Sequence, residues 1–304
     1  FFCVRVQHVQ QLPQRNINMI SLILAKKILS LFLVMALGIV LVRCGIVRSQ
    51  DSKVLSMISL YLVMPCVIIS SFQVEYQPEI LNGLLLALAT SALLHLVLIV
   101  VVGFLGKVLK LDGVEETSLI YSNAGNLIIP IVTAILGKEW VIYTSAFLSV
   151  QLFLLWSHAK MKLCGEKGID LKKILTNINM IAIFAGVLLF LLRIQLPAPV
   201  QDAVDSISSM VGPMGMLILG MLIAEMDLKK LLSYHRLWWI TLLRLVGIPL
   251  IGIVLLKYSS LAALVPEGRT ILLVTLLAIC TPSASSPPVS VIVNGSTPSS
   301  SSSL

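Results

Sequence analysis

The residues best suited to bind a solute lie in one short polar segment within apolar sequence. It contains Ser122, Asn123, Gly125 and Asn126, and Pro130 follows one turn later. A proline inside a helix removes a backbone hydrogen bond, and glycine and asparagine tolerate the unwound backbone that results. Free amides at the start of a half-helix carry partial positive charge, which suits a carboxylate. The segment therefore predicts an anion site at Asn123, Gly125, Asn126 and Pro130, with a packed proline kink as the alternative.

A second polar segment could complete this site from the other side. Thr281, Pro282 and Ser283 place two hydroxyl groups and a proline where an apolar run would otherwise continue. In hydrocarbon, backbone groups freed by such a break are costly unless they line a cavity or bind something. We therefore predict that these three residues contribute to the same substrate site.

The prolines also suggest an internal repeat. Pro130 and Pro282 are 152 residues apart, and Pro65 and Pro213 are 148 residues apart. The chain thus divides into two related halves of five spans each, and the odd number inverts the second half relative to the first. Inverted repeats with paired broken helices are typical of secondary transporters. We expect Pro65 and Pro213 to serve packing or hinge roles in a scaffold.

Two further residues carry or could acquire charge within apolar sequence. Arg244 could attract an anionic substrate, or it could extend its side chain toward the membrane surface. His95 could relay a proton, or it could be a neutral residue that hydrogen-bonds between helices. The sequence leaves both pairs of alternatives open.

Composition determines the elements that must position these residues. Of the 304 residues, 58% are hydrophobic and only 12% are charged, and the mean hydropathy is +1.00. A soluble domain has about a quarter charged residues, so this chain is predicted to be an all-α polytopic membrane protein. The net charge of +8 does not indicate nucleic-acid binding, because the basic residues lie in short loops between apolar runs. The cysteines have no metal-site spacing, and we expect neither a metal site nor a cofactor.

A bilayer core takes about 20 apolar residues per helix. By this rule the sequence contains nine candidate spans, near 20–42, 54–73, 80–106, 116–137, 140–159, 174–194, 203–224, 237–257 and 269–293. The loops after the odd-numbered spans 1 to 7 hold thirteen basic residues, and those after the even-numbered spans hold four. The excess predicts that the first set is cytoplasmic and that the N-terminus lies outside.

Composition also sets the expected domain boundaries. We expect an extension that is non-native or extramembrane at 1–18, the first five-helix repeat at 19–162 and a cytoplasmic linker at 163–173. The second repeat is expected at 174–286, incomplete and without a tenth helix, followed by an aberrant Ser/Pro-rich tail at 287–304. A truncation or frameshift near Ser286 would explain the change in composition.

Four segments resemble one family of membrane carriers. The segments are SNAGNLIIPIV at 122–132, NINMIAIFAGVLL at 177–189, VGPMGMLILGMLIA at 211–224 and LLAICTPSAS at 277–286. They are similar to the auxin efflux carrier family, which includes plant auxin exporters and bacterial permeases for small organic acids such as malonate. The resemblance covers about 20–286, and the segment at 122–132 is its most specific part.

The resemblance implies ten helices in two inverted halves, both termini outside, and elevator-like movement of one bundle against a scaffold. It implies that helices four and nine cross and bind a carboxylate beside Pro130 and Pro282, with the family's fourth-helix asparagine at Asn123. The implied fold is similar to sodium–proton antiporters and bile-acid symporters. Because only 163–173 joins the halves, a bacterial carrier in the inner (plasma) membrane is favoured over the plant exporters that have long loops.

The leading functional hypothesis is a secondary active transporter of a small organic acid, with alternating access at helices 4 and 9. Its expected partners are the substrate, the lipid bilayer and a proton or sodium ion, with a homodimer as an analogy from the fold. The alternative is a truncated remnant, or a membrane sensor, that binds the ligand without transporting it. No phosphate-loop, metalloprotease or nucleophile-elbow motif occurs, so we expect no enzymatic activity.

Overall fold

The computed structural model describes residues 14–164, 175–226 and 235–282, together with residues 172 and 233. Within these ranges six helices are long and apolar enough to cross a membrane, and three shorter apolar helices accompany them. The chain is therefore a helical polytopic membrane protein, as its composition predicts. The tail predicted at 287–304, the part of helix nine beyond Pro282 and any tenth helix lie outside the described residues.

The helices follow one another with short connections. In chain order they are α1 (Gln14–Arg43), α2 (Ser49–Ser71), α3 (Pro78–Leu109), α4a (Gly113–Ile120), α4b (Ala124–Ile135), α5 (Lys138–Leu163), α6 (Ile178–Leu191), α7 (Ala198–Ile223), α8 (His235–Tyr258) and α9 (Gly268–Cys280). Each predicted span has its helix, although α1, α2, α4a and α7 begin three to six residues earlier than predicted. Helix α9 ends at Cys280, and the part of its span predicted beyond Pro282 lies outside the described residues. The stop coincides with the polar break at Thr281 and Pro282.

The helices form two bundles. In the scaffold bundle, α1 packs against α7, and α2 packs against α6 and α7. In the core bundle, α3 packs against α4a, α5 and α9, α5 packs against α4b, and α8 packs against α9. We call the end at which α1, α3, α5 and α7 finish the basic end, because its loops hold the basic residues counted above. The other end is called the opposite end.

Glycines allow the scaffold helices α1 and α7 to approach closely. A Cβ atom on Gly38 would lie 2.6 Å from the carbonyl oxygen of Leu217, and one on Gly220 would collide with the carbonyl of Met35. Small residues at such positions let the backbones of membrane helices touch. This contact makes α1 and α7 one rigid unit of the scaffold.

Two helices contain a wider π-type turn just before a proline. In α2 the turn covers Ser59–Val63 and Pro65 follows, and in α8 it covers Leu243–Gly247 and Pro249 follows. Each proline lacks the N–H that would bond four residues back, so the local turn widens. In α8 this turn contains Arg244 and thereby sets the direction of its side chain.

The start of α4a is fixed at the basic end. Asp112 accepts a hydrogen bond from the Glu115 amide at 2.7 Å, and Glu115 accepts one from the Asp112 amide at 2.9 Å. Arg236 at the start of α8 donates to both carboxylate oxygens of Glu115, at 2.5 and 2.7 Å. These bonds favour the ionised carboxylate and hold the pKa of Glu115 below its usual range. The first half of helix 4 is therefore tied to α8.

Candidate functional site

The two broken helices meet at their breaks. The residue that follows α4a, Tyr121, and the residue that follows α9, Thr281, both have an extended backbone conformation. There the Asn123 amide donates a hydrogen bond to the carbonyl of Pro282, at 2.8 Å. The end of the described part of helix 9 thus meets the break in helix 4, and we call this junction the crossing. The break in helix 4 lies at 121–123, however, whereas Pro130 lies within α4b and interrupts only one hydrogen bond there.

Arg244 joins the ends of both half-helices. Its guanidinium group donates to three backbone carbonyls, those of Leu119 at 2.6 Å, Ile279 at 3.0 Å and Thr281 at 2.8 Å. The carbonyls at a helix C-terminus carry partial negative charge, and here α4a and α9 present theirs to the same cation. Arg244 is only 3% exposed, so it does not extend toward the membrane surface. Its charge supports the crossing backbone.

The unwound residue Ser122 is held by Gln151 of α5. Gln151 accepts from the Ser122 hydroxyl at 2.8 Å and from its amide at 3.2 Å, and it donates to the Ser122 carbonyl at 2.8 Å. One side-chain amide therefore satisfies both backbone groups of a residue that has no helical partners. Such pairing makes an open backbone stable inside an apolar bundle.

His95 of α3 is fully buried behind this crossing. Its Nδ1 atom lies 2.8 Å from the carbonyl oxygen of Ser91 in the same helix, so Nδ1 is the donor. The ring packs against Phe147, with 4.9 Å between ring centroids, and Nε2 has no hydrogen-bond partner among the described residues. The hydrogen bond expected between helices is thus replaced by one within α3, and a proton-relay role stays a prediction.

A small cavity, which we call the narrow cavity, lies between the two bundles beside the break in helix 4. Its volume is about 60 Å³. Among the residues predicted to bind substrate, Asn123, Gly125 and Asn126 all line it. Its polar groups are amides and hydroxyls without a charged side chain, and the lining consists of Ser59, Leu60, Met64, Ser122, Asn123, Gly125, Asn126, Leu148, Gln151, Leu152, Leu155 and Asn179.

Asn179 is a candidate site residue that sequence reasoning missed. It lines the narrow cavity from α6, is fully buried, and neither polar atom of its side chain has a partner among the described residues. A buried amide without partners costs about 1–3 kcal/mol, which is unusual unless something binds there. Asn179 belongs to one of the segments that carry the family resemblance, but its apolar surroundings gave no reason to single it out.

A larger cavity, the wide cavity, opens between the bundles near the opposite end. Its volume is about 410 Å³, and Pro130 lines it instead of the narrow cavity. The predicted site residues of helix 4 are thus divided between two spaces. The lining consists of Lys27, Val67, Ser70, Ser71, Ile129, Pro130, Thr133, Ala134, Lys138, Val141, Asp205, Ser208, Ser209, Val211 and Pro213.

The contact of α4b with α7 separates the two cavities. A Cβ atom on Gly212 would lie 2.8 Å from Cγ of Pro130, and one on Gly215 would lie 2.8 Å from Cγ of Asn126. Pro130 thus packs against Gly212 and Asn126 packs against Gly215, so these two contacts between core and scaffold are about one helical turn apart. Pro213 lies between these glycines in the second part of α7 and lines the wide cavity, so its packing or hinge role stays a prediction.

The residues predicted around Pro282 support the crossing and line neither cavity. Thr281 is 5% exposed, and its hydroxyl donates to the carbonyl of Ala278 at 2.9 Å. The carbonyl of Pro282 accepts the bond from Asn123 described above. Ser283, the third predicted residue, lies outside the described residues.

The structure of the described residues offers no grouping of three or more histidine, cysteine, aspartate or glutamate side chains that could hold a metal ion. The polar groups at the crossing are instead amides, hydroxyls and one arginine. Such groups can bind a small polar solute or ion by hydrogen bonds and partial charges.

Crossed broken helices between two bundles define a polytopic membrane protein with a polar site in its interior. A family model described as "Membrane transport protein" matches residues 23–167, which include most of α1, all of α2 to α5 and the helix 4 break. This is the family that the motifs resemble, so over this part the chain is similar to the auxin efflux carrier family of membrane transport proteins. No curated protein matches the chain.

Proposed function

We propose that the protein is a secondary active transporter of a small organic anion, with a carboxylate as the recognised group. The match of residues 23–167 to a family of membrane transport proteins supports transport. The observation that carries the rest is the crossing of helices 4 and 9, at which Asn123, Gly125 and Asn126 line a cavity between two bundles. Substrate binds there and is exposed to either side as one bundle moves against the other.

The division into two bundles supports alternating access. The α1–α7 unit is closely packed through glycines, whereas the core bundle carries both half-helices and the arginine that joins them. A rigid core that moves as a body would carry Asn123 past the scaffold without breaking the crossing. Such movement of one unit around a fixed site is the general scheme for transporters with broken helices.

The proposed orientation places the basic end in the cytoplasm and the N-terminus outside, in a plasma membrane. An inside-negative potential drives an anion outward by about 2.3 kcal/mol per charge per 100 mV, so efflux needs no nucleotide. A proton or sodium ion is the proposed coupling ion for transport against this potential.

The test is flux of labelled malonate and phenylacetate into proteoliposomes, with an imposed membrane potential. Asn123→Ala removes a side chain that lines the narrow cavity, and we expect it to reduce flux at least about tenfold. The matched control is Asn82→Ala, because Asn82 is exposed on α3. Flux in Asn123→Ala equal to that of the unmodified protein would refute the assignment of the site, and binding of these acids without any flux would favour a sensor.

A further inference from the structure

Lys27 of α1 lies in the wide cavity without a partner. It is half-buried, lies within the candidate membrane span Ala25–Arg43, and makes no hydrogen bond or ion pair with the described residues. Its neighbour Lys26 is exposed and is not part of the lining. Lys27 is the third residue of this span, and a lysine near the end of a membrane helix either reaches the surface or faces a partner or pocket.

The other charged groups of this cavity are already paired. Lys138 and Asp205 form an ion pair with 2.6 Å between Nζ and Oδ2. Asp205 also accepts hydrogen bonds from Ser70 at 2.5 Å and from Gln201 at 2.9 Å. Because the carboxylate of Asp205 is satisfied by these three groups, the charge of Lys27 remains uncompensated in the cavity.

The hydroxyl groups of the cavity near Lys27 already donate hydrogen bonds to backbone carbonyls. Thr133 donates to Ile129, Ser208 donates to Val204, and Ser209 donates to Ser206, each through its own helix backbone. The remaining wall is mainly apolar and includes Val67, Ile129, Pro130, Val141 and Val211. The ammonium group of Lys27 is therefore the free donor that a ligand would meet among apolar side chains.

We infer that the wide cavity is a second binding site for an organic anion, in which the carboxylate pairs with Lys27 and the apolar body packs against Ile129 and Pro130. This inference rests on the proposed function and adds a site to it. A volume of about 410 Å³ accommodates a whole small organic acid, whereas about 60 Å³ in the narrow cavity leaves room only for a small polar group. The site at Lys27 lies on the opposite side of Pro130 from Asn123, so in efflux an anion reaches it after leaving Asn123.

The probes are phenylacetate, its uncharged analogue phenylacetamide, and malonate. Binding to the purified full-length protein is measured as thermal stabilisation, and flux is measured in proteoliposomes from the side of the opposite end. Lys27→Gln removes the charge, and we expect the dissociation constant and the half-saturation concentration for phenylacetate to rise about 10- to 100-fold. Lys27→Arg keeps the charge and should stay within about threefold. Lys26→Gln, the matched control, should equal the unmodified protein.

Each outcome separates this inference from the proposed function. Flux of phenylacetate or malonate with the same half-saturation concentration in Lys27→Gln overturns the second site and leaves transport intact. Equal losses for phenylacetate and phenylacetamide also overturn it, since Lys27 would then act by packing. Binding that depends on Lys27 without flux keeps the site and refutes transport. Absence of both binding and flux for every probe overturns both.

Discussion

The two cavities beside α4b differ in chemistry although they are one helical turn apart. The wide cavity has an apolar wall and the free ammonium group of Lys27. The narrow cavity has amides and hydroxyls, and the side-chain amide of Asn179 within it has no hydrogen-bond partner among the described residues. A full charge attracts an anion over a long range, whereas neutral amides discriminate at contact distance. In the proposed efflux, the narrow cavity therefore selects the anion and the wide cavity receives it on its way out.

The division also shows what a proline does in this helix. Pro130 does not create the break, which lies at 121–123, but it places a flat ring against Gly212 between the two cavities. The missing amide of Pro130 leaves the carbonyl of Asn126 without its helical partner. Pro130 thus forms part of the wall of the wide cavity and removes one backbone hydrogen bond at Asn126, which lines the narrow cavity.

The largest expected effect comes from Arg244, because both cavities depend on the crossing that it holds. Arg244→Ala would leave three buried carbonyls without a donor, and hydrogen bonds to a charged group contribute about 1.5–3 kcal/mol each. We expect a large fall in the midpoint of thermal unfolding in detergent and loss of flux. The matched control is Arg269→Ala at the start of α9, where the arginine is exposed. An unfolding midpoint for Arg244→Ala equal to the control would contradict this structural role.

Asn179 allows the narrow cavity to be tested alone. Asn179→Ala removes a side-chain amide that has no hydrogen-bond partner among the described residues. We therefore expect the unfolding midpoint to stay the same or rise, while flux falls about tenfold or more. Asn177, two residues earlier, accepts a bond from the Asn179 amide at 2.9 Å and caps α6. Asn177→Ala should therefore lose about 1 kcal/mol of stability and keep its flux. If both variants lose stability equally and keep flux, Asn179 is only structural.

Much of the architecture was predictable because it follows from hydropathy and proline. Each of the nine apolar runs has its helix, and the segment at 122–126 does unwind and meet the residues around Pro282. Asn123, Gly125 and Asn126 share a cavity as expected from their spacing on one helix end. These features are local, and so they leave a signal in a single sequence.

The partners of isolated polar residues could not be predicted. Arg244 has no acidic neighbour in sequence, and its carbonyl partners lie more than thirty residues away on two other helices. Lys27 lies on α1, and its place in the wide cavity depends on α2, α4b and α7, which are distant in sequence. Such contacts arise from tertiary packing, which hydropathy does not encode.

The smallest expected effect concerns the wall between the cavities. In Gly212→Ala the new methyl group would lie 2.8 Å from the ring of Pro130, so α7 and α4b must separate slightly. Overpacking of this kind costs about 1–3 kcal/mol, and we expect a modest fall in both the unfolding midpoint and flux. Gly103→Ala is the matched control, because no heavy atom lies within 4 Å of its new Cβ and the helix gains about 0.5–1 kcal/mol. If Gly212→Ala lowers stability but leaves flux unchanged, α4b does not slide along α7, and the core must move past the scaffold at another contact.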